Sequence, residues 1–204
     1  MTNERTLLII KHDGVARGLM GEVIKRLERA GLKLIALEFL QSTAHMSESH
    51  YPHTIEWLTK VGSRTLSDYK KKGIDPIERL GSDDPIAIGK MVKGWLIDYL
   101  KVGPVLAMIW EGPQVVSIVR KLAGDTVPAN AAPGTIRGDY CFDNPELANK
   151  HNRPIYNLVH ASGEVAEATE EIALWFSGKE IHDYADYSDG YTGLTGKIAE
   201  HNRK

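Results

Sequence analysis

The segment at 157–162, NLVHAS, places one imidazole at the end of a short apolar run and just before an amphipathic helix. A histidine held in that position, His160, can serve as a nucleophile or as a general base. Two other segments carry Arg120 and Arg137, whose guanidinium groups suit phosphate oxygens. This combination of residue types favours phosphoryl transfer through a histidine.

Two further candidate functional residues lie at or near the ends of predicted strands. Lys11 comes at the end of the first predicted strand, and Asn157 precedes His160 by three residues. Taken singly, each such residue is more often a surface charge or a structural hydrogen-bonding group than a functional one. His45, His50 and His53 raise the idea of a metal cluster, but without a partner ligand in register we interpret them as surface histidines near a helix start.

Composition narrows the classes of protein. The chain has 204 residues, of which 42% are hydrophobic and 25% are charged, so it predicts a folded domain with a sizeable core. A formal net charge of −2 disfavours nucleic-acid binding, and only the run at 70–72, KKK, leaves a weak electrostatic option. Cys141 is the only cysteine, which excludes an internal disulfide and the usual cysteine zinc sites.

The same composition bears on location. No apolar stretch approaches the ~20 residues needed to cross a bilayer, and the first residues lack the apolar core of a secretory signal. A lone cysteine is typical of a reducing compartment. The sequence therefore predicts a soluble cytoplasmic protein without a membrane partner.

Hydrophobic periodicity predicts the order β-α-β-α-insert-α-β-α-long loop-β-α. The predicted strands are 6–10, 32–40, 105–110 and 155–159. This order favours an α+β fold of the ferredoxin-like split βαβ type, with a four-stranded antiparallel sheet and helices on one face. A doubly wound sheet is less favoured, because no Gly-rich phosphate turn follows the second strand.

Helical patterns occupy 18–30, 46–61, 90–101 and 113–122, and a last helix follows Ser162, a candidate N-cap. The stretch 62–89 predicts a mostly exposed insertion with one or two short helical turns, and 123–153 predicts a long functional loop. We expect a single domain at 4–184, with an insertion at about 62–89 and a smaller one at about 144–153, and a C-terminal tail at 185–204.

Familiar phosphate-binding loops are missing from the sequence. The run at 193–197, GLTGK, lacks both the first glycine and the final Ser or Thr of a Walker A loop, and no G-x-G-x-x-G occurs. A bound nucleotide would need another kind of phosphate site.

Several runs, read together, resemble the nucleoside diphosphate kinase family. They are KHDGV at 11–15, GPVLAMIWEG at 103–112, TIRGD at 135–139, NLVHAS at 157–162 and EIALWF at 171–176. The resemblance covers about residues 4–60 and 90–184. It implies transfer of the γ-phosphate of ATP to nucleoside diphosphates by a ping-pong mechanism, with broad base specificity. It also implies a homo-oligomer, a hexamer or a tetramer, which would hide the uncovered face of the sheet.

The resemblance assigns roles residue by residue. His160 matches the nucleophile that becomes a phosphohistidine, and Glu171, with Ser162, matches the groups that orient it. Phosphate, sugar and base contacts are implied for the nucleotide-binding positions, namely Lys11, Tyr51, Val92, Leu96, Arg120, Thr126, Arg137 and Asn157. Mg²⁺ would travel on the nucleotide phosphates, and no metal site made by protein ligands is expected.

Some positions depart from the family pattern. His12 stands where the family usually has proline, and Val102 where it has serine. Gly163 replaces an aspartate after Ser162, which removes a carboxylate from the surroundings of the metal's water shell. The two insertions lie near the expected base pocket. An alternative is therefore a nucleotide-binding regulatory module of the same fold without turnover.

Overall fold

The computed structural model describes residues 3–185, and its sheet has four strands. The strands are β1 Asn3–Ile10, β2 Lys33–Leu40, β3 Val105–Pro113 and β4 Val159–Ala161. They lie in the order β2-β3-β1-β4, and every neighbouring pair is antiparallel. This arrangement confirms the predicted ferredoxin-like α+β fold. The predicted tail lies outside the described residues beyond Ala185.

Ten α-helices and one 3₁₀ turn at Pro128–Asn130 connect and cover these strands in the described part of the chain. The helices are α1 His12–Ala16, α2 Met20–Arg29, α3 Ala44–His50, α4 Ile55–Lys71, α5 Pro76–Leu80, α6 Pro85–Lys101, α7 Val115–Ala123, α8 Ile136–Tyr140, α9 Pro145–Lys150 and α10 Val165–Trp175. None of the described helices is both long enough and apolar enough to cross a membrane.

Both faces of the sheet are covered, which corrects the prediction of helices on one face. Successive side chains of β1 alternate between two cores: Leu8 packs with α2 and α7, whereas Leu7 packs with Trp175 at the end of α10 and Leu100 of α6. Because β1 and β3 are apolar on both sides, neither face can stay open to water. The uncovered face therefore no longer argues for an oligomer.

The region after β2 also differs from its prediction. Instead of one helix at 46–61, the chain forms α3 and α4, separated by an extended stretch around Pro52. A residue that precedes proline is biased away from the α conformation, and Tyr51 has ψ 132°. Thr54 then caps α4 by accepting the N–H of Trp57. Since α4 runs on to Lys71, the first part of the predicted exposed insertion is regular helix.

Helices α4 and α6 cross in backbone contact. A Cβ on Gly62 would lie 1.8 Å from the carbonyl oxygen of Pro85, and one on Gly89 would lie 2.1 Å from that of Leu58. Only glycine permits so close an approach. The crossing anchors the start of the insertion on the body of the domain.

The stretch before β4 is more ordered than predicted. The expected loop at 123–153 contains α8 and α9, capped by the side chains of Thr135 and Asn144. The predicted strand at 155–159 is displaced to Val159–Ala161. Leu158 has φ +64°, and the N–H of Val159 donates to the carbonyl of Asn157 at 2.7 Å, so a tight turn replaces extended backbone there.

Candidate active site

One cavity of about 430 Å³ collects the candidate residues from four helices, one strand and the loops between them. Its volume is in the range of small-ligand sites. The predicted residues that line it are Lys11, Tyr51, Val92, Leu96, Arg120, Thr126, Arg137, Asn157, His160 and Glu171. Ser162 is fully buried and reaches the site through Glu171.

The strained turn before β4 fixes the backbone of the candidate nucleophile. A leucine at positive φ is uncommon, and such strain persists only where the surroundings hold it. Here the N–H of Lys11 donates to the carbonyl of Leu158 at 2.8 Å, and Asp13 accepts the N–H of Leu158 at 3.2 Å. His160 then pairs with Ile9 in the sheet, so both sides of its backbone are fixed.

A carboxylate holds the imidazole from one side. Nε2 of His160 lies 2.7 Å from Oε1 of Glu171, and the hydroxyl of Ser162 donates to Oε2 at 2.6 Å. With Nε2 against a carboxylate, the neutral ring carries its proton there and keeps a lone pair on Nδ1. Ser162 is thus not the predicted N-cap: α10 begins after Glu164, and the Ser162 hydroxyl is used on Glu171.

His50 belongs to the same cluster, so its interpretation as a surface histidine was wrong. Its side chain is buried, its ring centroid lies 4.3 Å from that of His160, and its Nδ1 lies 3.5 Å from Oε1 of Glu171. Trp175 donates its indole N–H to this Nδ1 at 3.2 Å, which places the proton of a neutral His50 on Nε2. The spacing of Met46 and His50, four apart on one face of α3, was the available signal.

Burial and neighbouring cations set the protonation of the site. Burial, and then Lys11 and Arg137, lower the pKa of His160, so the imidazole is neutral near pH 7. Burial, followed by repulsion from Arg137, lowers the pKa of Lys11 to about 7. Burial also raises the pKa of Glu171. A phosphate placed among these cations would relieve their repulsion.

The cationic side chains differ in how they are held. Lys11 donates to Oδ1 of Asn157 at 2.8 Å, and the amide of Asn157 donates to the carbonyl of Thr126 at 2.8 Å. The three guanidinium nitrogens of Arg137 donate to backbone carbonyls, two in the surrounding loops and one at the start of β4. Arg120 is exposed, and among residues 3–185 its guanidinium has no hydrogen-bonded partner. Arg120 is therefore the cation most available to an incoming anion.

The comparison with protein families settles which family this arrangement belongs to. The family model described as nucleoside diphosphate kinase matches residues 4–57 and 88–181. The chain belongs to the nucleoside diphosphate kinase family. Its enzyme class is that of the family, a phosphotransferase that acts on nucleoside diphosphates.

Relatives span most of the chain. A nucleoside diphosphate kinase from Pyrobaculum aerophilum is 47% identical over 181 residues, which are 89% of this chain and 99% of that protein. Nucleoside diphosphate kinase A from Mus musculus is 37% identical over 182 residues, 89% of this chain and 91% of that protein.

Solved structures agree with these relatives. An NDP kinase from Pyrobaculum aerophilum superposes with a TM-score of 0.87 at 45% identity, covering 89% of this chain and 100% of that one. A nucleoside diphosphate kinase from Borrelia burgdorferi, described as a transition state mimic with bound vanadate and ADP, superposes with a TM-score of 0.73 at 32% identity. The match covers 93% of this chain and 96% of that one.

The departure from the nucleoside diphosphate kinase pattern at Gly163 has a structural counterpart. Glu167, in the first turn of α10, accepts the N–H of Gly163 through Oε2 at 2.5 Å. A Cβ on Gly163 would lie 2.4 Å from that oxygen and 3.6 Å from Nη1 of Arg120. The carboxylate of Glu167 therefore lies where the side chain of the family's aspartate would begin. The sequence pattern gave no indication of a carboxylate at this place.

His12, the other departure from the family near the site, has an aromatic setting. Its Nδ1 contacts the carbonyl of Tyr99 at 2.9 Å, and its ring packs edge-on against Tyr99 and Tyr156. Burial lowers the pKa of His12. At the position where the family usually has proline, the imidazole therefore packs between Tyr99 and Tyr156, next to Lys11 in the chain.

Proposed function

We propose that His160 is the nucleophile of a ping-pong phosphoryl transfer from ATP to nucleoside diphosphates. The observation that carries the proposal is the contact of Nε2 with Glu171, which leaves Nδ1 as the free nitrogen in a cavity lined by Lys11, Arg120 and Arg137. A nucleophile with a positioning or activating group within hydrogen-bonding reach is a recurring feature of covalent catalysis.

In the first half-reaction, the Nδ1 lone pair of His160 attacks the γ-phosphorus of ATP. An N–P bond forms, the bond from that phosphorus to the bridging oxygen breaks, and ADP leaves with the bonding electron pair. The ring keeps its proton on Nε2 and gains positive charge, which the adjacent carboxylate of Glu171 stabilises. In the second half-reaction, a terminal oxygen of the acceptor diphosphate displaces Nδ1, and the neutral histidine returns.

The cations supply electrostatic stabilisation. Charge is spread over the oxygens of the phosphoryl group during transfer, and fixed guanidinium groups neutralise it without reorganisation. Arg137 is held by its three carbonyl partners, so it can act as a preorganised donor, while the exposed Arg120 would bind the phosphates from the solvent side of the cavity. Tyr51 and Thr126 line the same cavity and complete the proposed phosphate contacts.

Sugar and base contacts are assigned to further residues that line the same cavity. Asn157 and Lys11, which are hydrogen-bonded to each other, would bind the ribose hydroxyls. Val92 and Leu96 line the cavity from α6 as an apolar wall for the base. An apolar wall discriminates weakly among bases, which supports broad base specificity.

Magnesium is proposed as the cofactor, carried by the nucleotide phosphates. Among the described residues, one group of three has a geometry suited to a cation, namely His50, His160 and Glu171. Two imidazoles do not suit Mg²⁺, which prefers oxygen ligands. Glu167, which lines the cavity near Arg120, offers an oxygen to the ion's water shell. The ion would neutralise phosphate charge.

Labelling decides between a kinase and a regulatory module without turnover. Incubation with ATP labelled on its γ-phosphate should give an acid-labile label on the wild-type protein, and a nucleoside diphosphate should remove it. His160→Ala should take no label, whereas the exposed control His45→Ala should label normally. An unlabelled wild type, or a labelled His160→Ala, rejects the proposed mechanism.

The organisation of the chain is also part of the proposal. Residues 4–184 act as one domain, with insertions at about 62–89 and 144–153, and the family model leaves 58–87 unmatched.

Self-association is proposed from two exposed apolar side chains on the edge strand β2, Leu37 and Phe39, which support a homo-oligomer, a hexamer or a tetramer. Sedimentation analysis would measure the number of subunits.

A cytoplasmic location is also proposed, because a single cysteine is typical of a reducing compartment.

A further inference from the structure

One end of the cavity is built by a segment that the family model does not match. Beyond Val92 and Leu96, the wall comes from α4 and includes Arg64 and Asp68. Both residues lie within 58–87, between the two matched parts of the chain. The insertion therefore contributes to the nucleotide cavity itself.

Arg64 and Asp68 lie four residues apart on α4 and so share one face of the helix. Both line the cavity. Among residues 3–185, neither side chain forms a hydrogen bond or an ion pair. A guanidinium and a carboxylate are thus available side by side to a ligand that offers both acceptors and donors.

Two other polar side chains at this end are already engaged. Arg153 makes two contacts with the carboxylate of Asp143, at 2.5 and 3.1 Å, and its guanidinium lies over the ring of Tyr156. The hydroxyl of Thr65 donates to the carbonyl of Val61 within α4. Arg153 and Thr65 are therefore less available to a ligand than Arg64 and Asp68.

The two insertions hold each other in place. Arg79 of α5 donates to the carbonyl of Lys150 at the end of α9 at 2.5 Å, and Lys72 lies 3.6 Å from Glu146 of α9. Helix α9 also lines the cavity, through Ala148 and its neighbours. At its other end, the insertion is fixed by the glycine crossing of α4 and α6. Arg64 and Asp68 are therefore presented from an anchored helix.

We propose that α4 and α9 enclose the base of the bound nucleotide and that Arg64 and Asp68 bind its edge, favouring guanine over the other bases. This inference rests on the proposed function, because the phosphates must lie at His160 for the base to reach α4. Every base can still bind, since the apolar contacts of Val92 and Leu96 are common to all of them, but guanine would bind best.

The chemistry of the two side chains selects guanine. Guanine presents O6 and N7 as acceptors, which a guanidinium can bind, and an N2 amino donor. Its N1–H lies next to this amino group, so one carboxylate can accept both. Adenine offers the carboxylate only its N6 amino group, and the single ring of a pyrimidine reaches less far towards α4.

Binding and turnover measured across bases test this inference. The variants are Asp68→Asn and Arg64→Gln, with matched controls Glu78→Gln and Lys71→Gln on exposed positions of the insertion. Dissociation constants for GDP, ADP, CDP and UDP can be followed by the fluorescence of Trp57 and Trp95, which line the cavity. The kcat/KM of each acceptor diphosphate gives the second readout.

The wild type should prefer GDP to CDP in both measurements. Asp68→Asn should lower that GDP-to-CDP ratio about tenfold, as expected for loss of a charge-assisted contact to one base edge. Arg64→Gln should lower it by a smaller factor, and both controls should keep the wild-type ratio. Equal effects on all four bases, or a wild type without preference, would overturn the inference.

Failure of the proposed function gives a different result. If wild-type protein takes no phosphoryl label but still binds GDP more tightly than CDP through Asp68, the catalytic proposal fails and the base inference stands. If labelling is normal but the ratio does not respond to Asp68→Asn, the base inference alone is wrong.

Discussion

Glu171 places its Oε1 2.7 Å from Nε2 of His160, and its other oxygen is held by the buried Ser162. The same Oε1 lies 3.5 Å from Nδ1 of His50, but that nitrogen accepts the indole N–H of Trp175, so the carboxylate holds His160 alone. This relationship determines the tautomer of the candidate nucleophile, because a neutral histidine beside a carboxylate keeps its proton on the facing nitrogen.

Replacing this carboxylate should slow chemistry more than it weakens binding. Glu171→Gln removes the charge that stabilises the phosphorylated ring, so kcat should fall about tenfold to a hundredfold, the cost of a hydrogen bond to a charged group. Ser162→Ala leaves the charge in place and should cost less. Steady-state kinetics measures both, and a Glu171→Gln enzyme with normal kcat would contradict the role given to the carboxylate.

Arg120 and Arg137 should both be needed for activity but should differ in their effect on stability. Each Ala variant should lower kcat/KM about a hundredfold. Arg137→Ala should also lower the free energy of unfolding by about 2–4 kcal/mol, because three backbone carbonyls lose their donor. Arg120→Ala should leave stability nearly unchanged.

The exposed Lys71→Ala is the matched control for the arginines, and its kcat/KM should stay within about twofold of wild type. Kinetics combined with denaturant unfolding separates the two effects. Similar losses of activity for Lys71 and the arginines would show that the phosphate site has been misplaced.

Nucleotide affinity should depend on pH through Lys11, whose pKa is lowered to about 7 in the free protein. A bound polyphosphate favours the ammonium, so binding raises this pKa and takes up a proton above pH 7. The affinity for ADP should therefore fall as pH rises from about 7 towards the bound-state pKa. Lys11→Gln should remove most of this slope, and titration calorimetry in two buffers would measure the proton uptake.

The lowered pKa of Lys11 makes the free energy of unfolding rise with pH, whereas the affinity for ADP falls. The unfolded chain keeps the usual lysine pKa near 10.4, so between about pH 7 and that value it binds more protons at Lys11 than the folded protein does. The cost of burying Lys11 is thus fully present below about pH 7 and is relieved as pH rises through this window. For the binding prediction, the contradicting result is an ADP affinity that does not change with pH in either the wild type or Lys11→Gln. That result would argue against the Lys11 ammonium as a phosphate contact.

Glu167 should make nucleotide binding dependent on magnesium. Glu167→Gln removes a carboxylate beside Arg120, so ADP without metal should bind more tightly, by about threefold to tenfold. The gain in affinity that Mg²⁺ gives should shrink by a similar factor. Equilibrium binding with and without Mg²⁺ measures this, with the exposed Glu170→Gln as control. An unchanged Mg²⁺ dependence would remove Glu167 from the metal's surroundings.

The crossing of α4 and α6 should tolerate no side chain at Gly89. A Cβ there would lie 2.1 Å from the carbonyl oxygen of Leu58, so Gly89→Ala should cost about 3 kcal/mol or more of unfolding free energy. Gly94→Ala, on the same helix with nothing within 4 Å, should stabilise the protein by up to about 1 kcal/mol. Equal melting temperatures for the two variants would show that the helices separate easily.

The sequence predicted the sheet well because apolar strands of β-branched and leucine residues leave a clear local pattern. β1, β2 and β3 fall within a few residues of their predicted positions. β4 was misplaced because a leucine at positive φ, at Leu158, carries no signal in its residue type. One helix was predicted across Pro52 at 46–61, although this proline lies between two helices.

By itself, the sequence determined the family, the fold class and the set of candidate residues, since these depend on residue types in short runs such as NLVHAS at 157–162. Only the tertiary structure decided that His50 is buried against His160 and that Glu167 occupies the space beside Gly163. It also decided that Arg64 and Asp68 line the cavity. These relationships join residues on different elements, and their proximity follows from helix packing, which no local pattern encodes.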